Sequence, residues 1–169
     1  MMENLELHEQ LTEYEDGNAE MVTLFPKAGA ETDNPSDHLM KLKKAKELFE
    51  KSPFNKYIGP QKPQLLIITS SACFLYTKEA VSMLNLQNRV GILKLGCTWP
   101  LPEGLLKKYL RLAGKIMVVE EVLPFMEENI KVLAASYPRE IGVKTFYGKI
   151  DGTFPSVGEL NPDMVARAL

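Results

Sequence analysis

The side chains best suited to chemistry fall in three short clusters, each just after an apolar run. Ser70 and Ser71 follow LLIIT, Thr98 and Trp99 lie in GCTW after VGILKL, and Glu120 and Glu121 follow KIMVV. Serines at the mouth of a helix offer hydroxyl and backbone N–H groups to an anion, or they simply cap that helix. No glycine-rich nucleotide fingerprint or P-loop spacing accompanies them. Two acids after a buried strand can include one desolvated carboxylate with a raised pKa, suited to proton transfer or to gripping a basic partner. The competing reading is that one caps the next helix and the other is solvated. Trp99, set between Thr98 and Pro100, reads as an anchor packed under its own helix or into a neighbouring domain.

The other candidates are weaker. Cys73 and Cys97 each follow a strand end and so approach the same edge, but no CxxC or nearby His serves either. Two cysteines cannot form a disulfide framework or a four-cysteine metal site. His8 and His38 lie in polar surroundings, and Asp151 in GKIDG marks a tight turn between Gly148 and Gly152. No triad, metal cluster or phosphate loop assembles from these residues. The expectation is that the isolated chain is not catalytic and binds no metal.

These clusters must be positioned by repeated strand–turn–helix units. QLLIITSSACFLYTKEAVSML, VGILKLGCTWPLPEGLLKKYL and KIMVVEEVLPFMEENIKVLAASY follow one another, the last two with a proline at the helix mouth. Helix-containing connections allow right-handed parallel crossovers, so three strand C-terminal ends share one sheet edge. Leu75, Ala80 and Leu84 are expected to face inward on the first helix. Leu105, Leu106, Tyr109 and Leu110 do so on the second, and Met126, Ile130, Leu133 and Tyr137 on the third. FNKYI precedes the first unit by only GPQKP, too short for a crossover, so it is expected to pair antiparallel with the QLLIITS strand. VKTFYG supplies a fifth strand, and Asn161-Pro162 starts a terminal helix. The sum is a five-stranded mixed sheet with helices on both faces.

Upstream, residues 1–33 read as a leader with one short strand, MVTLF. Asn34-Pro35-Ser36-Asp37 then starts an amphipathic helix with Leu39, Leu42, Ala45 and Phe49 on one stripe and lysines on the other, ended by Ser52-Pro53. The expected division is therefore 1–52 for leader and helix and 53–169 for the α/β domain. Residues 1–38 hold ten acids against Lys27, a net −9, leaving +7 for the remainder. That leader is either a solvated segment or an electrostatic contact with its own domain or a partner. The basic residues of the body are scattered without aromatic interleaving, which argues against nucleic acid. No apolar run nears the ~20 residues that cross a bilayer, and the acidic start is unlike a signal peptide. A reducing cytoplasm fits best.

Four segments in register resemble a known family: IITSSACFLYTKEAVSML, VGILKLGCTWPLPEGLLKKYL, KIMVVEEVLPFMEENIKVLA and GKIDGTFPSVGELNPDMVARAL, with SPFNKY before them. Over about residues 35–169 the chain is similar to the middle domain of the alpha subunit of indolepyruvate:ferredoxin oxidoreductase, itself like the C-terminal domain of transketolase. The resemblance implies a three-layer α/β/α fold with one antiparallel strand. It also implies a structural and assembly role in an enzyme that oxidatively decarboxylates aryl 2-oxo acids to acyl-CoA. That parent complex uses thiamine diphosphate, magnesium, coenzyme A and iron–sulfur clusters, with ferredoxin as distant electron acceptor. This chain has no GDG-type motif and no cysteine-rich ferredoxin segment, and its first 34 residues are too few for a pyrimidine-binding domain. It is expected to bind no cofactor alone and to be either an excised domain or a split gene product. Its partners would be other domains or subunits, or a second copy. Ser70, Ser71, Thr98, Trp99, Glu120 and Glu121 would face the cofactor-binding domains. The rival reading is a stand-alone α/β module that holds a small anion at the same edge.

Overall fold

The computed structural model describes residues 35–169. MVTLF, the capping Asn34, His8 and the acidic leader lie outside the described residues. The chain divides at Leu48/Phe49 into two units. Of the first, the described part is helical, belonging to α1 (Pro35–Glu50).

The second unit carries the sheet. Its strands are β1 (Lys56–Ile58), β2 (Leu65–Ser70), β3 (Val90–Leu95), β4 (Lys115–Val119) and β5 (Thr145–Tyr147). The helices are α2 (Ser71–Met83), α3 (Glu103–Leu110), α4 (Phe125–Ser136), the single turn α5 (Pro138–Ile141) and α6 (Pro162–Ala168). Spatial order is β1-β3-β2-β4-β5, with β1 antiparallel to β3 and the other pairs parallel. This is the five-stranded, three-layer α/β/α arrangement with one antiparallel strand expected above.

Central strands buried on both sides read as unbroken apolar runs, and alternation sends successive side chains to opposite faces. Leu66, Ile68, Ile116 and Val118 pack with Leu106, Leu110, Met126 and Ile130 of α3 and α4. Ile67, Met117 and Val119 pack on the other face with Cys73, Ala80 and Val81 of α2 and Val165 of α6. Thus α2 and α4 leave the neighbouring strands β2 and β4 toward opposite faces. A crevice opens where two such connections diverge.

Two expectations are corrected. β1 pairs with β3, not β2, and Lys56–Ile58 match Lys94–Ile92. Reach alone allows pairing with β2, yet GPQKP passes over the start of β3 and leaves β2 central. At Gly59 (φ 141°) a Cβ would lie 2.7 Å from the Gly91 Cα, so the crossing needs glycine at that point. The Tyr57 hydroxyl, donating to the Pro60 carbonyl at 2.6 Å, fastens the same crossing. The second correction concerns helix phase. Ala80 is buried as expected, but Leu75 and Leu84 are exposed, and α2 buries Cys73, Thr77 and Val81 beside Ala80. Tyr137 likewise falls past the end of α4 and is exposed.

Candidate functional site

The crevice between β2 and β4 is a cleft of about 440 Å³, and Ser70, Thr98, Glu120, Glu121, Val122 and Phe125 are among its lining residues. Four of the six sequence candidates are therefore brought together. Ser71 heads α2 beside them, and Trp99 stands at the cleft through an edge-to-face contact with Phe125, ring centroids 5.8 Å apart.

Glu120 ends β4, and its carboxylate accepts the N–H groups of Met126 at 2.7 Å and Glu127 at 2.8 Å. It therefore satisfies two otherwise orphaned donors at the N-terminus of α4, where Pro124 cannot cap with a side chain. Burial raises its pKa, and the neighbouring Glu127 carboxylate adds to the rise; the two N–H donors oppose it without cancelling it. Glu121 is half-buried rather than solvated and accepts the Leu160 N–H at 3.3 Å, tying the cleft to the loop before α6.

The α3 mouth is built the same way from a residue the sequence reading passed over. Glu50 accepts Gly104 N–H at 2.6 Å and Leu105 N–H at 2.8 Å, across more than fifty residues of chain. The signal was distant in sequence, which is why local pattern could not reveal it. The α2 mouth differs. Ser70 occupies its N-cap in extended geometry yet makes no side-chain capping bond, and Ser71 takes φ 47°. Two of the three helix mouths at this edge thus carry a carboxylate of the chain itself, which leaves little room for an outside anion there.

What the edge does present is apolar surface. Trp99 is 60% exposed, Val122 72% and Leu123 69%, with Phe125 beside them. Val122 holds φ 60°, an unfavourable state for a β-branched residue. The Trp99–Pro100 peptide is cis. Large apolar side chains clustered around a cleft mark a contact surface more often than a catalytic one. The exposure of Val122, Leu123 and Phe125 is not legible in EEVLPF, where apolar residues between a strand and a helix read equally well as core.

The other sequence candidates fall elsewhere. Asp151 accepts N–H groups from Gly148 and Thr153; burial pushes its carboxyl up, but these donors hold it below its ordinary value. That is a turn-forming role. Cys73 lies on the buried face of α2 and Cys97 half-buried before Thr98, both as free thiols. Among the described residues no group of three or more His, Cys, Asp or Glu is placed to hold a metal. No described helix is long and apolar enough to cross a membrane.

Fold and cleft together define an open, three-layer α/β/α domain with its cleft between β2 and β4. It resembles part of the 2-oxoglutarate:ferredoxin oxidoreductase of Magnetococcus marinus, with a TM-score of 0.51 at 16% identity over 84% of this chain and 24% of that one. By sequence the chain is homologous to a segment of indolepyruvate oxidoreductase subunit IorA. It is 37% identical to the Methanothermobacter marburgensis protein over 130 residues, 76% of this chain and 20% of that one. The Archaeoglobus fulgidus protein is 35% identical over 78% of this chain and 19% of its own length. The Pyrococcus horikoshii protein reaches 41% over 55% of this chain and 14% of its length. The chain therefore spans about a fifth or less of the length of the relatives it matches. No protein-family profile matches it.

Proposed function

We propose that this chain is the structural and assembly domain of a thiamine diphosphate-dependent indolepyruvate:ferredoxin oxidoreductase in the cytoplasm. Its partners would carry thiamine diphosphate, magnesium, coenzyme A and iron–sulfur clusters and pass electrons to ferredoxin. The described residues offer no cluster of ligands for magnesium and no cysteine set for an iron–sulfur cluster. The observation that carries the reading is the exposed Trp99–Val122–Leu123–Phe125 surface around a cleft lined by Ser70, Thr98, Glu120 and Glu121. Exposed aromatic anchors around a mainly apolar cleft suit a desolvated domain interface. The relatives favour this role over a free-standing anion-binding module.

The test is purification of the chain from its own source with the thiamine-containing chain that turns over indolepyruvate. Trp99→Ala or Phe125→Ala is expected to weaken that association by about tenfold or more, as removal of a central aromatic anchor does. Unchanged assembly and turnover in both variants would overturn the edge assignment.

A further inference from the structure

Glu120 is only 7% exposed, yet it lines the cleft beside Glu121. Its two oxygens accept the Met126 and Glu127 N–H groups, and no cation answers its charge. Among the described residues no ammonium or guanidinium ion-pairs with Glu120 or Glu121. The two lysines nearest are engaged elsewhere. The Lys131 ammonium bonds the Glu127 carboxylate at 2.7 Å, and the buried Lys149 ammonium donates to the Pro155 carbonyl at 3.0 Å.

Every element packed around Glu120 bears on its charge. From α4 the Glu127 carboxylate repels it, and from the turn after β5 Lys149 attracts it. From α2 comes only the Cys73 thiol, and Glu121 follows on the same strand end. Burial is the largest influence and already favours the neutral acid. Around this carboxyl Trp99, Val122, Leu123 and Phe125 present exposed apolar surface. A partner seated on that surface takes the last water from Glu120 without supplying a charge of its own. Desolvation of an unpaired carboxylate is relieved when it takes a proton from solvent and becomes neutral.

We propose that covering this cleft is coupled to uptake of a proton by the Glu120 carboxyl, so that assembly tightens as pH falls. The inference rests on the assembly reading of this edge and adds a regulation to it. The sign follows from linkage. A carboxyl that holds its proton more tightly in the complex than in the free chain favours the complex fully at low pH. That advantage is lost as pH rises through the pKa it has in the complex.

The full 169-residue chain would be titrated calorimetrically into the thiamine-containing chain that turns over indolepyruvate, in buffers of unlike ionisation enthalpy. Across about pH 5 to 8, Kd is expected to rise by up to about tenfold per pH unit between the two Glu120 pKa values. The buffer dependence of the heat should report uptake of up to about one proton per complex. Glu120→Gln, neutral at every pH, should lose both signals, whereas Glu121→Gln should keep them. Proton uptake is read on the unaltered chain, so the test does not hang on the folding of a variant. Association without proton uptake overturns the inference and leaves the assembly reading standing. So does proton release with weaker binding at low pH, the signature of a partner lysine or arginine paired with Glu120. An undiminished pH dependence in Glu120→Gln places the proton on another group and overturns it too. Absence of association at every pH overturns the assembly reading, and this inference with it.

Discussion

The buried carboxylate of Glu127, in the first turn of α4, accepts the backbone N–H of Lys149 at 2.7 Å. The same carboxylate takes the Ile150 N–H at 3.1 Å and the Lys131 ammonium at 2.7 Å. One side chain thus closes the turn after β5 onto the helix that follows β4. It also explains Gly148, where an added Cβ would run into the Glu127 carboxylate.

Removing that carboxylate should therefore cost more than an ordinary surface acid. Glu127→Ala leaves two backbone donors and an ammonium without their acceptor, and is expected to lower unfolding free energy by about 3 kcal/mol. Gly148→Ala must displace a side chain already held at three points, and should cost about 1–3 kcal/mol. Urea denaturation measures both. A loss under about 0.5 kcal/mol in either, the range of unremarkable surface changes, would refute this account of the turn.

Glu120 makes a pH prediction with the opposite sign to an ordinary salt-bridged acid. Its pKa is raised by burial above the ordinary 4.5, so the folded protein holds this proton more tightly than the unfolded chain. Stability from this group is complete below the ordinary value and is lost as pH rises through the raised one. Glu120→Gln, which keeps an acceptor for one α4 donor but cannot titrate, should flatten the decline of the urea midpoint over that interval. Parallel profiles for the two proteins would show that Glu120 titrates as an exposed acid does.

Much of this architecture was legible because the three strand–turn–helix units announce themselves locally. Continuous apolar strands, prolines at two helix mouths and the Asn161 cap, which accepts the Met164 N–H at 3.0 Å, all act within a few residues. What the sequence concealed depends on distance. Glu50 reaches α3, and Glu127 reaches the turn at Lys149, through chain separations that no local period reports. The β1 pairing was hidden for a related reason: loop length limits reach, but Gly59 and Gly91 decide which strand can be crossed. On α2 only Ala80 of the expected inward residues is buried, because close packing on β2 selects small residues such as Cys73 and Thr77 over the larger Leu75 and Leu84. At the cleft, Glu120 and Glu121 stood out by type. The exposure of Val122 and Leu123 is a tertiary outcome.

The two cysteines offer a chemical check on the same edge. Burial, then the nearby Glu121 carboxylate, pushes the Cys73 thiol up to about 11. At pH 8 only roughly a thousandth of such a thiol is thiolate, and thiolate is the reacting form. Cys97 is also raised by burial, but it is half-buried in the turn that presents Thr98 and Trp99. Ellman's reagent should therefore label the native protein in two separated phases, the fast one lost in Cys97→Ser and the slow one accelerated by urea. If the edge is an interface, Cys97 should become protected in the assembled complex while Cys73 keeps its slow rate. Two equally fast thiols in the native chain would contradict the burial of Cys73. Undiminished labelling of Cys97 in the complex would place the interface away from the Thr98–Trp99 turn.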